Sequence, residues 1–196
     1  MKRLFDLTFA MIGLCCLSPF IFLFALAVMI ESRGPGFYKG VRVGHNGKTF
    51  RIYKLRTMIV DSERANIFST ANDDPRITRI GKFLRKHKLD ELPQLINVLI
   101  GDMSLVGPRP EVQSFADIYT NEEKQILTIP PGITDWASLW DSDEGSLLKG
   151  SSDPDRDYRE NIRPEKIRLQ LKYVQDRSFR TDMQILFLTM KKLFSK

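Results

Sequence analysis

A long uncharged stretch near the N-terminus constrains this chain more than any other feature. Residues 7–30 are 24 consecutive positions without a charged side chain, enough at about 1.5 Å per residue to cross a hydrocarbon core of roughly 30 Å. Ser18 and Pro19 lie at its midpoint, where proline removes a helix hydrogen bond and the serine hydroxyl can bond the freed backbone. Each half then forms roughly 18 Å of helix, which is too short to span a bilayer alone.

Two membrane topologies fit this segment: a kinked spanning helix, or a re-entrant helix with both ends on one face. Basic residues flank both ends, with Lys2 and Arg3 before the segment and Arg33 after it. Because basic residues favour the cytoplasmic side, this distribution favours the re-entrant form. Asp6 lies in the first turn and needs a partner near the membrane surface, for which Arg3 is a candidate. A buried helix of a soluble protein is disfavoured, because large apolar residues surround the helix axis.

The composition fits one compact domain attached to an anchor. The chain has 196 residues, a formal net charge of +6 and a pI near 9.4. Such a basic balance suits anionic lipid headgroups, phosphorylated substrates or nucleic acid. Nucleic acid is disfavoured, because the sequence has no zinc-finger spacing and no aromatic RNA-binding signature. The two cysteines, Cys15 and Cys16, lie in the apolar segment, which excludes a disulfide framework or a cysteine metal site.

A short β-hairpin is predicted directly after the anchor. Residues 36–43 and 49–55 have strand character, and the Asn-Gly pair between them is typical of a hairpin turn. Basic side chains occur in and just after the second strand, at Lys54 and Arg56. They either form a solvated edge that discourages aggregation or line a phosphate site.

Amphipathic helices are predicted in the rest of the chain. The first opens near residues 73–76, and its apolar stripe of Ile77, Ile80, Phe83 and Leu84 lies among basic residues, so it lies in the membrane interface or packs on the protein core. The interval 130–152 is expected to be a binding loop or lid, or to place Trp136 and Trp140 at the interface. A final helix over 182–194 also has an apolar face suited to interfacial contact.

The run Leu-Asp-Glu-Leu-Pro-Gln-Leu at residues 89–95 has the most chemical content. Asp90 is predicted to cap an apolar helix with Glu91 in its first turn, where partial positive charge keeps a carboxylate ionised and attracts phosphate. An ordinary cap with a solvated glutamate is the structural alternative. Farther on, Arg109 lies between two prolines that stiffen its backbone. The predicted buried face of the helix consists of Leu92, Leu95, Ile96, Leu99 and Ile100.

Four ordered blocks resemble the small monotopic phosphoglycosyl transferases, a family of bacterial sugar transferases. The blocks are Ser18-Pro19, residues 50–58, residues 89–95 and residues 101–110, and the resemblance covers most of residues 1–135. It implies transfer of a phosphosugar from a UDP-sugar to polyprenyl (undecaprenyl) phosphate, with release of UMP. It also implies an α+β, membrane-embedded monotopic fold, with a re-entrant broken helix, a short β-hairpin and interfacial helices, on the cytoplasmic face of the bacterial inner membrane.

The resemblance further implies a Mg²⁺ ion and a covalent intermediate. It makes Asp90 the nucleophile and Glu91 its partner, with both carboxylates at the metal. The predicted phosphate- and nucleotide-binding cations are Lys54, Arg56, Arg85 and Arg109. Such a cluster suits two anionic substrates, because phosphoryl transfer depends mainly on positioning and charge neutralisation. An aspartyl phosphate divides one difficult transfer into two easier ones.

Three positions depart from the pattern of the family. Lys88 stands where a serine or threonine usually precedes Leu-Asp-Glu, which puts a further cation near the dyad. After Thr134 the usual continuation is replaced from Asp135 onward, so that an arginine of the usual loop is missing. Gln170 stands where many relatives carry an aspartate. We expect these departures to reflect a different UDP-sugar.

The sequence predicts an anchor at residues 1–33 and a catalytic domain at 34–196. Two other functions compete with the covalent transferase: a non-catalytic membrane scaffold, and a direct-transfer enzyme in which Glu91 is the base and Asp90 only a metal ligand. Clustered carboxylates and cations favour an enzyme. The expected partners are a UDP-sugar, polyprenyl phosphate and the phospholipid bilayer, without nucleic acid, and an oligomer is compatible with the sequence.

Overall fold

The structure is a computed structural model that describes residues 1–62, 69–141 and 143–195, apart from the side chain of Phe194. Over these residues it mixes helices with short strands, as predicted. The strands are β1 (Phe37–Val43), β2 (Thr49–Leu55), β3 (Ser104–Val106) and β4 (Gly132–Thr134). The helices are α1 (Lys2–Ser32), α2 (Arg79–Lys86), α3 (Gln94–Ile100), α4 (Gln113–Ala116), α5 (Trp136–Trp140), α6 (Glu144–Leu147), α7 (Pro154–Asp157), α8 (Arg163–Gln175) and α9 (Phe179–Phe194).

Helix α1 is long and apolar enough to cross a membrane, and it remains one helical element through Pro19. The Ser18 hydroxyl donates to the carbonyl of Cys15 at 3.3 Å, the carbonyl that Pro19 leaves without an N–H donor. The expected local repair is therefore present. One face of α1 packs on the rest of the protein through Ala10, Ile21, Ala25 and Val28. The opposite face exposes large apolar side chains, which include Phe9, Ile12, Phe20, Phe22, Leu23 and Ile30.

The N-terminal end of α1 is tied to the body of the protein by charged side chains. Lys2 Nζ donates to Asp182 Oδ2 in α9 at 2.6 Å. Arg3 donates at 2.6 Å to the carbonyl of Val98 in α3. Such bonds satisfy carbonyl and carboxylate groups that would otherwise be costly at a membrane surface.

Asp6 is a buried carboxylate of α1, and the prediction that it pairs with Arg3 is wrong. It is 3% exposed and accepts from Ser104 Oγ at 2.8 Å and from the Leu105 N–H at 3.3 Å, both in β3. Arg3 instead donates to the carbonyls of Val98 and Leu99 at the end of α3. The acid therefore anchors α1 to a strand rather than pairing along its own helix.

The C-terminal end of α1 contacts the same body. Glu31 accepts from the N–H groups of Arg79 and Ile80, at 2.9 and 3.1 Å, where α2 begins. Arg56 Nη2 donates to Ser32 Oγ at 2.8 Å. A carboxylate at a helix N-terminus and a cation at a helix C-terminus both complement the helix dipole. Both ends of α1 are thus fastened to neighbouring parts of one domain.

The predicted hairpin is confirmed. Strands β1 and β2 pair antiparallel, with Gly40 opposite Ile52 and Tyr38 opposite Lys54. Asn46 in the connection adopts φ 56°, a left-handed conformation that asparagine tolerates well. The pairing places Lys54 near the end of β2, from which its side chain reaches the carboxylate dyad.

A second pair of strands, β3 and β4, is parallel and very short. Ser104 pairs with Gly132 and Val106 with Thr134. A Cβ atom at Gly132 would lie 2.0 Å from the backbone nitrogen of Gly107, so that only glycine allows the two chains to approach this closely. Because parallel strands end at the same edge, the residues that follow them, near 109 and 135, come together.

Helix α2 settles one of the alternatives left by the sequence. Thr78 caps its N-terminus by accepting from the Gly81 N–H at 2.9 Å. From the predicted apolar stripe, Ile77 and Leu84 are buried, whereas Phe83 is half-exposed. The stripe therefore packs mainly on the protein core, and only its edge is free for interfacial contact.

The start of α3 differs from the prediction. Residues Leu89–Glu91 form a 3-10 turn, and α3 begins at Gln94 without a side-chain cap. Asp90 is therefore not a helix cap. The buried residues of α3 are Gln94, Asn97 and Val98, while Ile100 is 61% exposed. From the predicted face, Leu92, Leu95 and Leu99 are partly buried and pack against the core clusters.

Residues 130–152 are more ordered than a loop, because they contain β4, α5 and α6. Trp136 packs beside Val106 and Ile129 in a buried cluster, whereas Trp140 is half-exposed. The final helix, α9, starts three residues before the predicted position. The exposed apolar residues of α9 are Phe179, Phe187, Met190 and Leu193.

We expect Asp6→Ala to destabilise the docking of α1. The change leaves the buried Ser104 hydroxyl and Leu105 N–H without an acceptor, a loss of about 1–3 kcal/mol. Thermal unfolding of the purified protein in detergent should show a lower Tm. Met11→Ala, on the exposed face of α1, is the matched control and should leave Tm nearly unchanged. Equal effects of both substitutions would contradict the anchoring role of Asp6.

Candidate active site

The carboxylate dyad Asp90–Glu91 lies in the 3-10 turn between α2 and α3. Strand β2 brings Lys54 to it, and the segment after β3 brings Arg109. These residues are far apart in sequence, so the local pattern alone could not show that they meet. Among the predicted site residues, Glu91 makes direct ion pairs with both Lys54 and Arg109.

Glu91 is held by two cations at once. Lys54 Nζ donates to Glu91 Oε1 at 2.8 Å, and Arg109 binds both carboxylate oxygens, with Nη1 at 3.0 Å from Oε2 and Nη2 on Oε1. Burial opposes ionisation, but the charges of Arg109 and Lys54 hold the pKa of Glu91 well below its usual range. The same carboxylate raises the pKa of Arg109. Glu91 is therefore a fixed anion and not a proton donor at neutral pH.

Asp90 has the opposite environment. It is 8% exposed, and its buried Oδ1 has no hydrogen-bond partner among the residues that the structure describes. Burial and the adjacent charge of Glu91 raise its pKa, whereas Lys54, Arg85 and Lys88 oppose that shift. A poorly solvated carboxylate with an unpaired oxygen is a stronger nucleophile than one surrounded by donors.

The two remaining predicted cations are placed differently. Arg85 faces the dyad cavity and makes a long hydrogen bond of 3.5 Å to the carbonyl of Thr70. Arg56 borders the same cavity, but its hydrogen bonds go to Ser32 Oγ and the Val28 carbonyl at the end of α1. Burial lowers its pKa. Its contacts explain how α1 is held, and its role at phosphate stays a prediction.

One cavity of about 1780 Å³ contains the dyad and is amphipathic. Its polar wall carries the dyad and the cations Lys54, Arg85, Lys88 and Arg109. Its apolar wall is formed by α1, α3 and α9, through Phe9, Ile12, Leu17, Leu95, Met190 and Leu193. The cavity can therefore accept a ligand that is anionic at one end and hydrocarbon at the other.

The backbone of Arg109 is clamped by two buried side chains that the sequence had marked only as departures. Asp135, 0% exposed, accepts from the Arg109 N–H at 3.3 Å, and its other oxygen accepts from the Ser138 N–H and hydroxyl, each at 2.7 Å. Gln170, 1% exposed, donates to the Arg109 carbonyl at 3.4 Å. Both bonds fix the arginine whose guanidinium holds Glu91.

The clamp was missed because it depends on the register of β3 and β4. No local sequence pattern around Asp135 indicates a contact with Arg109, which lies 26 residues earlier. The available signal was that Asp135 follows one apolar strand while Arg109 follows another. A parallel pairing of the two strands would have brought them together, but strands of three residues are too short to predict from pattern.

The residues present fit a divalent cation only in part. The described residues contain no group of three or more His, Cys, Asp or Glu side chains suited to a metal. Mg²⁺, however, commonly uses one or two carboxylates together with substrate phosphates. Asp90, with its unpaired oxygen, suits that role better than Glu91, whose two oxygens are already engaged by cations. The predicted metal site thus stays a prediction that centres on Asp90.

Comparison with known proteins identifies the family. The chain matches the family described as bacterial sugar transferase over residues 1–196. A Bacillus subtilis protein named "Uncharacterized sugar transferase EpsL" is 39% identical over 193 residues, which are 98% of this chain and 87% of that protein. This chain therefore belongs to the bacterial sugar transferase family, as the motifs had indicated.

Two longer relatives have names that describe a reaction. An undecaprenyl-phosphate glucose phosphotransferase of Komagataeibacter xylinus is 38% identical over 203 residues, covering 100% of this chain and 36% of that protein. A UDP-glucose:undecaprenyl-phosphate glucose-1-phosphate transferase of Escherichia coli is 34% identical over 199 residues, covering 99% of this chain and 40% of that protein. This chain thus spans less than half the length of both.

We expect Asp135→Ala to misplace Arg109 and to lower kcat/KM for sugar-phosphate transfer by about 10- to 100-fold, the usual result when a charged group moves by a fraction of an ångström or more. Steady-state kinetics with a UDP-sugar measures the effect. Ser138→Ala is the matched control, because it removes the Ser138 hydroxyl bond to Asp135 near the start of α5 but keeps the Asp135 bond to Arg109. If both variants lose Tm and activity in equal proportion, Asp135 acts only through α5.

Proposed function

We propose that this protein transfers a phosphosugar from a UDP-sugar to polyprenyl phosphate through an aspartyl-phosphosugar intermediate. The observation that carries the proposal is the contrast within the dyad. Glu91 is neutralised by Lys54 and Arg109, whereas Asp90 keeps a buried, unpaired oxygen in the same cavity. The names of the K. xylinus and E. coli relatives support the substrate classes.

The first half-reaction follows from the charges. Asp90 attacks the phosphorus that bears the sugar, a P–O bond to that carboxylate forms, and the P–O bond to UMP breaks. Mg²⁺, when bound at Asp90 with the substrate phosphates, would supply charge neutralisation for this transfer. Glu91 keeps Arg109 and Lys54 beside the reacting group, so that their positive charge is in place before the substrate arrives.

The second half-reaction restores the enzyme. An oxygen of polyprenyl phosphate attacks the same phosphorus, and the bond to Asp90 breaks, which yields a lipid-linked diphosphosugar. Polyprenyl phosphate combines an anionic head with a hydrocarbon tail. The cavity offers cations for the head, and Phe9, Ile12 and Leu193 for the tail.

A non-catalytic scaffold explains the site less well. A buried carboxylate with a raised pKa and an unpaired oxygen destabilises a fold at neutral pH. A scaffold would gain from replacing Asp90 by a neutral residue, whereas an enzyme needs its nucleophile. Local instability at a functional position is a common cost of activity.

The membrane anchor is proposed to be re-entrant, with both ends on the cytoplasmic face. Lys2 and Asp6 fasten the N-terminal end of α1 to α9 and β3. Glu31 and Ser32 fasten the C-terminal end to α2 and to Arg56, the residue after β2. A helix that crossed the bilayer could place only one end against a cytoplasmic domain. The basic residues on both flanks support the same side for both ends.

Asp90→Asn should abolish formation of the intermediate, because a neutral amide is a poor nucleophile towards phosphorus. After incubation with a panel of UDP-sugars, intact-mass measurement should show a phosphosugar adduct on the wild type and none on the variant. Asp117→Asn, on the exposed surface, is the matched control and should form the adduct normally. Release of UMP in the presence of polyprenyl phosphate, without any adduct on the enzyme, would instead indicate direct transfer of the phosphosugar.

The same variant also tests the state of Asp90. Because its pKa is raised in the folded protein, the protonated form stabilises the fold at low pH, and that stabilisation is lost as pH rises through the folded-state pKa. Asp90→Asn removes the cost of the buried charge, so its Tm should exceed that of the wild type at neutral pH. The difference should shrink in acid. A lower Tm for the variant at neutral pH would contradict a destabilised carboxylate.

Single cysteines at positions 4 and 35, introduced with Cys15 and Cys16 changed to alanine, test the anchor. Both positions are exposed near the two ends of α1. A membrane-impermeant maleimide should label both from the cytoplasmic side of inverted vesicles and neither from the other side. Labelling of Leu4→Cys only from the opposite side would show a spanning helix and exclude the re-entrant form.

A further inference from the structure

We propose that Lys88 is a further substrate-binding residue, whose ammonium binds the diphosphate of the nucleoside diphosphate donor. The proposal rests on the proposed transferase function and adds to it a residue that the family pattern does not supply. It is carried by three independent features of the structure: the backbone conformation of Lys88, its lack of a direct partner and its position in the cavity.

The backbone at Lys88 is one that glycine normally provides. Helix α2 ends at Lys86 with His87 as its C-cap, and Lys88 follows with φ 57° and ψ 20°. Its N–H donates to the Arg85 carbonyl at 3.1 Å, which closes the end of the helix. Glycine is strongly preferred at this left-handed position, because a Cβ atom is unfavourable there. A lysine that occupies a strained position beside a reactive dyad points to a task for its side chain.

The ammonium of Lys88 is available to a ligand. Of the other cations at the dyad, Lys54 and Arg109 are engaged by Glu91, and Arg85 makes a long hydrogen bond to the Thr70 carbonyl. Within residues 1–62, 69–141 and 143–195, the Lys88 side chain makes no hydrogen bond and no ion pair, although it is half-buried and lines the cavity. An incoming phosphate can therefore bind Lys88 without first breaking an existing ion pair.

Lys88 shares the lining of this cavity with several carboxylates. Burial raises the pKa of Asp90, Glu91, Asp141 and Glu144, and the positive charge of Lys88 is one of the charges that oppose this shift at all four. These carboxylates would repel a doubly charged diphosphate unless a nearby cation, such as the flexible Lys88 side chain, offset their charge.

The position also fits the chemistry. Lys88 is two residues before the nucleophile, so the phosphorus that Asp90 attacks must come close to it. A lysine ammonium is a compact charge on a flexible stem, which can follow a phosphate as the bond to UMP breaks. Lys88 therefore offsets the charge of the diphosphate, whereas the charges of Lys54 and Arg109 are already paired with Glu91.

Three substitutions separate charge from backbone strain. Lys88→Gly removes the charge and the strain of the left-handed conformation. Lys88→Asn removes the charge but introduces a side chain that tolerates this conformation. Lys88→Arg keeps the charge. The full-length protein is titrated with UDP by calorimetry, once with EDTA and once with Mg²⁺. Intact-mass kinetics with UDP-sugars and Tm are measured in parallel. Lys149→Asn, an exposed lysine outside the cavity, controls for net charge.

We expect Lys88→Gly to raise Tm and yet to weaken UDP binding by about 10-fold or more, the scale of one charge-assisted contact, with slower adduct formation. Lys88→Asn should show the same loss of binding, Lys88→Arg should largely retain it, and Lys149→Asn should behave like the wild type. Because the glycine variant is expected to be more stable, misfolding cannot explain its loss of binding.

An unchanged affinity for UDP in Lys88→Gly, with or without Mg²⁺, would overturn the proposal and leave Lys88 as a residue that only ends α2. A loss of UDP affinity in Lys149→Asn equal to that in Lys88→Asn would also overturn it, since net charge would then be the cause. If UDP binding depends on Lys88 but the wild type forms no adduct and releases no UMP with any UDP-sugar, the nucleotide site stands and the transferase function fails.

Discussion

Glu91 lies between the guanidinium of Arg109 and the ammonium of Lys54, and the arrangement of the site depends on this partly buried ion triad. Three separate segments are joined there: the end of β2, the turn before α3 and the proline-flanked segment after β3. Removing one member of a buried ion cluster leaves an uncompensated charge, which is strongly destabilising. The triad therefore fixes where the three segments meet, and it leaves Asp90 as the carboxylate without a dedicated cation.

Local patterns in the sequence predicted the elements whose signals are strong. The uncharged segment gave α1, the Asn-Gly pair gave the β1–β2 hairpin, and the basic amphipathic stretch gave α2. The prediction failed at the start of α3, where Lys88 in a left-handed conformation and a 3-10 turn replace the expected capped helix. Helix periodicity assumes a regular axis from the first residue, and a tight turn of three residues breaks that assumption.

The candidate site was predicted in its composition but not in its contacts. Sequence motifs identified Lys54, Asp90, Glu91 and Arg109 as candidates. Only the structure shows that Glu91 is paired with both cations while an oxygen of Asp90 has no partner among the described residues. Asp135 was visible only as a departure from the family pattern. Its function as a clamp depends on the parallel pairing of β3 with β4, a contact between segments that no local pattern encodes.

The position of α1 connects the fold to the chemistry. The same helix presents apolar side chains outward, contributes Phe9 and Ile12 to the apolar wall of the cavity, and is bonded at both ends to the domain that carries the dyad. A water-soluble nucleotide sugar and a membrane-bound lipid phosphate can meet only at the boundary between their two solvents. Because α1 belongs to both the apolar surface and the lining of the cavity, the proposed acceptor would reach Asp90 without its hydrocarbon tail leaving an apolar environment. For the proposed transfer, the remaining energetic problem is to neutralise the phosphates of the two substrates, and the cavity supplies Lys54, Arg85, Lys88 and Arg109 for it.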